Sequence, residues 1–513
     1  MKITYNAGRY VALDLPEFGK GGPNWIWDAV KREWYTLDPR VALPLRSYCD
    51  GLAAKELQRT FLSHDPWTGA LRHPPHLTPR IFQKYAALFA LSRNRSYLAL
   101  DPGLGKGVIA VLIQNALGGP MLYVCPPYLV LTAAEEFKKW GGKTLAIWTS
   151  LDLAPPFTTP TVWIVPDSQI HSGELRRLVG EWKRLRPDAT LVVDEAHRYV
   201  HLEARRTRAL FQGLVPAFRR IVFMSGTPCP SRPMELWPVL SECAPETIDF
   251  MTESDYGRRY CGGHYSEQKR AWDFSRSSNV QELADKLHGT FMLRLRKDDV
   301  LTELPPKTEE LVFIGDTLPP VLADLDAKIL RHYSPEDLVG RQLATRAGLT
   351  EDEDLALSTY RRELETLKAS ASLKFIHGVL ANGDENVLVF GYHKEAMALL
   401  VKGLAKYNPL VITGQTPMDV RHARVKAFQN DPAHRVFLAN YIAGGTGYTL
   451  TKATRIIRVA FDWVPGINDQ AGDRAHRIGQ TDNVLDQFLV YRDSVDCKVL
   501  QVIQRKRQTT RIL

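Results

Sequence analysis

The sequence lacks the marks of several whole classes of protein. Its 513 residues hold six cysteines, Cys49, Cys125, Cys229, Cys243, Cys261 and Cys497, and none forms a C-x-x-C pair. Neither a zinc site nor a disulfide framework is expected, and free thiols in a reducing compartment are the matching state. No apolar run is long enough to span a bilayer, and no export signal is seen. The absence of low-complexity segments and obvious repeats argues against fibrous and repeat architectures. Nor does one sign of charge dominate. Lysine and arginine number 66 against 57 acids, a net charge of +9. So modest a surplus suits a polyanionic partner without requiring one.

What is present is an ordinary globular composition, 44% hydrophobic and 24% charged, over a length that suggests two to four domains with real cores. The chain is organised around Leu191–His197, LVVDEAH. An apolar run this short, ending in two adjacent acids, reads as a buried strand delivering charge to its carboxyl end, where open α/β sheets place ligands. Upstream, SYLALDPGLGKGVIAVLIQNAL reads as strand, glycine loop and helix. MLYVCPP, VWIVPDS and IVFMSGTP continue a strand series, and strands alternating with helices imply a parallel sheet. From about residue 235 to 370 the pattern turns helical and polar. A second strand series follows: NVLVFGY, PLVIT, RVFLAN, RIIRVA and DQFLVYR.

The expected fold class is therefore α/β, with two parallel-sheet lobes. Residues 1–75 read as a small β-rich module, with a hairpin around Asn6–Ala7–Gly8. Its Trp25, Trp27, Trp34 and Tyr35 fall within eleven residues; they either form the module's core or stack on unpaired bases. The first lobe is expected over 76–300, with a helical insertion from about 235. The second covers 301–513, with a helical protrusion over 316–370 and a basic tail holding Arg505, Lys506, Arg507 and Arg511.

Three pieces carry the chemistry. In DPGLGKG, Gly103, Leu104 and Gly105 let backbone N–H groups close around phosphate oxygens, and the next helix offers its positive end. Lys106 would meet the β and γ phosphates of a nucleotide. The usual phosphate loop follows its lysine with Ser or Thr as a magnesium ligand; here Gly107 stands instead. In DEAH, Asp194 would hold magnesium and Glu195 would orient and deprotonate the attacking water. His197 is either a packed histidine or a coupling residue. In QAGDRAHRIGQ, Arg474 and Arg477 are three apart and are expected on one helix face, where fixed donors suit a phosphate in transfer. ATP and Mg²⁺ are the implied nucleotide and ion.

Taken together, DPGLGKG, DEAH, SGTP and QAGDRAHRIGQ resemble the superfamily 2 helicases, and among them the Swi/Snf-type DNA translocases with two RecA-like lobes. VCPPYLV with EEFKKW is similar to motif Ia, SGTPCPSRPMELWPVL to motif III and its sequel, VLVFGYHK to motif IV and AGGTGYTLTKA to motif V. The resemblance spans roughly residues 77–500 in the family's order. SRPMEL, YGRRYCG and FMLRLRKDDV look most like the annealing-helicase branch, the HepA-related fork-remodelling proteins. That resemblance implies ATP-driven tracking along duplex DNA and remodelling or annealing of forks. It implies that Gln83 reads adenine, that Gly447 and Gln470 join the nucleotide site, and that Ser225, Thr227, His197 and Gln480 couple hydrolysis to motion, with Gly445 in motif V. Two departures stand out, Gly107 and the Pro102 that follows the family acid Asp101.

DNA contacts need only charge and position; the candidates are Arg198, Arg205, Arg206, Arg208, Arg294, Arg296 and the tail. The partner expected is duplex, forked or partly single-stranded DNA, engaged by a monomer with no membrane association. The compact length suggests a bacterial or viral source, hence a cytoplasmic, nucleoid-associated protein or one of the host cytoplasm. A nucleotide-gated clamp silenced by Gly107, a motor that clears proteins from DNA and a strand-separating helicase remain as alternatives.

Overall fold

The structure is a computed structural model that describes residues 2–6, 9–13, 26–28, 33–36, 71–141, 146–149, 161–267, 270–301, 303–339, 351–441, 448–510 and 512. The chain divides into two compact units, Met1–Val300 with Ile512–Leu513, and Leu301–Arg511.

The chain opens with an antiparallel sheet of β1 (Lys2–Asn6), β2 (Arg9–Leu13), β3 (Ile26–Asp28) and β4 (Glu33–Thr36), in the order β1-β2-β4-β3. Asn6 pairs with Arg9, which closes the expected hairpin. Trp27 stands opposite Trp34 and Ile26 opposite Tyr35.

The first unit is built on a parallel seven-stranded sheet of β5 (Arg95–Leu100), β6 (Met121–Cys125), β7 (Ala146–Trp148), β8 (Thr161–Pro166), β9 (Thr190–Asp194), β10 (Arg220–Ser225) and β13 (Met292–Leu295), ordered β13-β5-β10-β9-β6-β8-β7. Every residue of β6 and β9 is buried. Helix α1 (Ile81–Leu91) precedes β5, and helices α2 (Lys106–Leu117), α3 (Val130–Trp140) and α4 (Gly173–Leu185) intervene between the strands. α4 shows why they pack. The Ser172 hydroxyl caps it by accepting from the Leu175 amide at 3.4 Å, satisfying one of the donors a helix start leaves open. Leu175, Leu178, Val179 and Trp182 then fall at helical spacing and are all buried. Trp182 meets Trp163 of β8 edge to face at 5.9 Å.

The stretch expected to be helical holds α5 (Trp237–Cys243), α6 (Glu253–Tyr260) and α7 (Val280–Leu287), but also a two-stranded hairpin, β11 (His264–Ser266) with β12 (Ala271–Asp273). Strands of three residues leave too short a trace of alternation to be read.

In the second unit a parallel six-stranded sheet contains β14 (Lys307–Gly315), β15 (Val387–Gly391), β16 (Leu410–Ile412), β17 (Val436–Asn440), β18 (Arg455–Arg458) and β19 (Val484–Tyr491), ordered β14-β19-β18-β15-β17-β16. Its helices include α8 (Pro320–His332), α9 (Glu351–Asn382), α10 (Lys394–Gly403), α11 (Met418–Asn430), α12 (Pro465–Gly472) and α13 (Val495–Thr510). The five strands expected here are present, and β14 is an addition. β14, β13 and β7, which the strand series above did not include, each close one margin of a sheet. A marginal strand has one neighbour and carries a weaker apolar signature: KTEELVFIG is half polar, and no residue of it is fully buried. Among the described residues, no helix is long and apolar enough to cross a membrane.

Candidate active site

Because the first sheet is parallel, the carboxyl ends of its strands share one edge. β5, β10 and β9 are adjacent, and Ser225 pairs with Ala99 while Met224 pairs with Asp194. The glycine loop, SGTP and DEAH therefore leave the sheet side by side.

The loop follows β5. Gly103 and Gly105 take φ of +91° and +79°, a region glycine enters without the clash other residues meet. Gly105 is doubly constrained, since a Cβ there would lie 2.4 Å from Gln83 Nε2. Gln83 is buried beneath the loop. Its Nε2 donates to the Leu104 carbonyl at 3.0 Å and its Oε1 accepts from the Arg80 amide at 3.0 Å. In this conformation one end of the amide expected to read adenine braces the loop and the other caps the start of α1. Before the loop, Asp101 pairs with Arg294 at 2.8 Å and accepts from the Lys297 amide at 3.0 Å. Burial opposes its charge, but Arg294 and that amide hold its carboxyl below the usual range. Arg294, proposed from sequence as a DNA contact, thus serves the loop strand.

Asp194 ends β9 as a buried carboxylate. Its two oxygens accept from the Tyr123 hydroxyl at 2.8 Å and the Glu195 amide at 2.9 Å. Burial, then the neighbouring Glu195 charge, pushes it up to about 6, against the pull of Lys106. The positive charge of Lys106 is thus felt at Asp194. Glu195 takes φ +52°, a left-handed conformation that costs a non-glycine residue of order 1 kcal/mol or more and is concentrated at functional sites.

A polar chain runs outward from Glu195. Its Oε2 lies 3.2 Å from His197 Nδ1, and the same nitrogen is 2.8 Å from Ser225 Oγ. Ser225 Oγ in turn accepts from the Thr227 amide at 3.1 Å. His197 is therefore a bridge between DEAH and SGTP. A second contact joins SGTP to the loop. A Cβ on Gly226 would come within 2.7 Å of Pro102 Cγ, so the proline that departs from the family pattern packs against a position that only glycine fits.

Gly107 is the second residue of α2, and its missing side chain would point at Glu136 of α3, whose Cγ lies 3.4 Å from the ideal Cβ position. Among the described residues, no three His, Cys, Asp or Glu side chains gather as a metal cage. The oxygen chemistry of Asp194 nonetheless fits magnesium, which takes one or two carboxylates and keeps several waters.

In the second unit, α12 ends at Gly472 and residues 473–479 form turns. Arg474 and Arg477 were expected on one helical face; they sit beyond the helix instead. The Arg474 and Ala475 amides bond three residues back, to Ala471 and Gly472. Ala475 and His476 are buried, while both arginines are half-buried. Gln480 is buried and knits the turn together, its Nε2 donating to the Ala453 and Ala475 carbonyls at 3.0 Å each. Gln470 lies on α12, half-buried.

Beneath α12 lies a pair that sequence reading missed. Arg458 of β18 and Asp486 of β19 are both fully buried and meet in a two-pronged ion pair at 2.6 and 2.7 Å. Arg458 also donates to the Tyr441 hydroxyl at 2.6 Å and to the Asn468 carbonyl of α12 at 3.0 Å. A Cβ on Gly472 would lie 2.8 Å from Arg458 Nη2. In RIIRVA the arginine looks like the solvent side of a half-exposed strand, and nothing in its spacing announces a partner 28 residues on. Arg507, expected in a DNA-facing tail, bonds Glu309 and reaches Asp469 of α12 at 2.7 Å.

The arginine-rich stretch after DEAH divides. Arg198 and Arg206 converge on buried Asp167, at 2.8 and 3.6 Å. Arg205 and Arg208 are exposed and Arg296 is half-buried. Gly445 and Gly447 lie outside the described residues.

The chain matches two family models, the SNF2-related domain over residues 82–317 and the Helicase conserved C-terminal domain over 368–479. It is 29% identical over 443 residues to the DNA annealing helicase and endonuclease ZRANB3 of Mus musculus, covering 84% of this chain and 40% of that protein. It is likewise 29% identical to the SWI/SNF-related matrix-associated actin-dependent regulator of chromatin subfamily A-like protein 1 of Drosophila melanogaster, over 83% of this chain and 55% of that one. The chain thus spans about half the length of these relatives. Among solved structures, the Sulfolobus solfataricus SWI2/SNF2 ATPase core in complex with dsDNA aligns with 87% of this chain and 94% of its own, at 19% identity and a TM-score of 0.39.

Proposed function

Because the chain belongs to the SNF2-related family of helicases, we propose that it is a DNA-dependent ATPase that tracks along duplex DNA and remodels or anneals forked DNA. The observation that carries the reading is the convergence of loop, DEAH and SGTP at one sheet edge, with Glu195 wired through His197 to Ser225. Lys106 and the loop amides bind the triphosphate. Glu195 takes the proton of the attacking water, and His197 and Ser225 report its state to SGTP. Asp194 holds magnesium, directly or through water, and the ion supplies neutralisation of phosphate charge. Arg474 and Arg477 supply fixed guanidinium donors to the phosphate in transfer.

Fork remodelling draws support from relatives that are named annealing helicases. It is also favoured by the N-terminal sheet, which carries two paired tryptophan positions outside the motor. The protein acts as a monomer on this reading.

A phosphate-release assay on the full chain tests the proposal, with no DNA, single strand, duplex and forked duplex. Forked and duplex DNA are expected to stimulate turnover above single strand. Glu195→Gln is expected to bind ATP with little change and to lose turnover. A rate indifferent to DNA, or undiminished in the variant, would refute the motor.

A further inference from the structure

Four basic side chains that no catalytic step uses converge on one cleft of the first unit. The cleft, of about 290 Å³, is lined by His171, Arg176, Arg205, Arg208, Gln212 and Gly213 and contains no acid. We propose that it is a seat for the backbone phosphates of DNA. This assignment rests on the reading that the chain binds DNA, and it names where the first lobe grips it.

Several arginines on this part of the surface pair with acids. Arg177 bonds Glu181 at 2.7 Å, Arg186 bonds Asp188 at 3.1 Å, and Arg198 and Arg206 share Asp167. No hydrogen bond or ion pair among the described residues engages the side chains of His171, Arg176, Arg205 or Arg208, and all four are exposed. Like charges held together in a concave site repel one another, and the field they focus is relieved only by an anion. Guanidinium groups match the geometry of phosphate oxygens, two donors to two acceptors.

The cleft is constructed by two elements. Arg205 and Arg208 are three apart on the short helix Arg205–Arg208, whose Thr207 faces the core. The chain continues as Ala209–Leu214, where Leu210, Phe211 and Leu214 are buried and Gln212 stays exposed. Arg176 comes from the second turn of α4. Its stem lies against Gly213, where a Cβ would meet Arg176 Cδ at 3.4 Å. His171 ends the loop that follows β8. Both elements thus descend from the loop edge of the sheet that carries Asp194, so a bound backbone would run beside the ATP site.

Counterion release supplies the test. Binding of the full chain to a short blunt duplex is measured by fluorescence anisotropy between roughly 50 and 200 mM salt, a range over which each phosphate contact contributes a slope of about 0.9 in log K against log salt. The variants are Arg176→Ala, Arg205→Ala, Arg208→Ala, their combination, and the combination with Lys in place of Ala. The combined Ala variant is expected to lose about one to three contacts' worth of slope, and the Lys combination to retain most of it. ATPase without DNA is expected to stay unchanged, because none of these residues touches the nucleotide site. An unchanged slope in the combined Ala variant, where the wild type binds duplex, overturns the seat and leaves the motor reading intact. A wild type that binds no DNA overturns both. Inorganic phosphate provides the last arm. Tight binding of phosphate to the wild type, lost in the variants while the DNA slope holds, would assign the cleft to a free anion and overturn the backbone seat.

Discussion

Replacing Asp486 with Asn should expose how the arginine-bearing turn is held. The change keeps the shape of the side chain and removes its charge, leaving the fully buried Arg458 guanidinium facing a neutral amide. Breaking a buried ion pair from one side costs about 3–5 kcal/mol. The structure points to the lower end, about 3 kcal/mol. Asp469 and Glu309 belong to the same cluster, where Lys307 and Arg507 share their charge, and they offset part of the unpaired positive charge. For a unit of about 200 residues, that loss corresponds to a fall of roughly 6–12 °C in Tm, read by thermal unfolding with Trp463, buried in this unit, among the reporters. A paired variant, Arg458→Met with Asp486→Leu, removes both charges and should recover to within about 1 kcal/mol of wild type. It should still turn over ATP slowly, because the bond from Arg458 to the Asn468 carbonyl of α12 is also lost. An Asp486→Asn protein that melts with the wild type, or a double variant no more stable than the single, would refute the argument from an isolated buried charge.

Gly107→Thr should lower the magnesium concentration for half-maximal ATPase, since the new Cβ meets Glu136 at an ordinary contact distance and the hydroxyl restores a ligand; a magnesium titration that shows a higher requirement or no activity rejects this. Arg474→Ala and Arg477→Ala should each slow DNA-stimulated turnover by about 10³- to 10⁵-fold, the range measured for arginine fingers, with nucleotide affinity far less affected; an unchanged rate on saturating DNA would show that neither acts on the phosphate. The second unit should also carry an acid-sensitive contribution from Glu309. Burial would raise its carboxyl, but Arg507 and Lys307 bring it down to about 2 from the usual 4.5. The stabilisation is therefore complete above pH 4.5 and is lost as pH falls towards 2, about 3 kcal/mol in all. Arg507→Ala should flatten that part of the stability profile, and a profile identical to wild type would contradict the assignment.

The sequence by itself determined the parts whose physics is local. A run of β-branched and apolar residues must be buried, and two acids at its end must emerge at a sheet edge, so β9 and Asp194–Glu195 could be read from seven letters. Glycines before a lysine before an apolar helix specify a loop of open amides, and the strand–helix alternation specifies parallel sheets. Tertiary structure decided what depends on residues far apart in the chain. Tyr123 reads as core in MLYVC until β6 is laid beside β9 and its hydroxyl meets Asp194. Pro102 reads as a mere departure until the backbone of SGTP, more than 120 residues away, rests on it. The six arginines after DEAH and before the second lobe that were weighed together as DNA contacts on charge alone separate by their neighbours. Asp167 and Asp101 claim Arg198, Arg206 and Arg294, while Arg205 and Arg208 turn to a cleft with His171 and Arg176. That α12 ends before Arg474 and Arg477 was not legible, because Gly472 lies against the buried Arg458–Asp486 pair, which only the fold assembles. Charge can be counted along a chain; whether a charge is left for a ligand depends on which opposite charge the fold brings within reach.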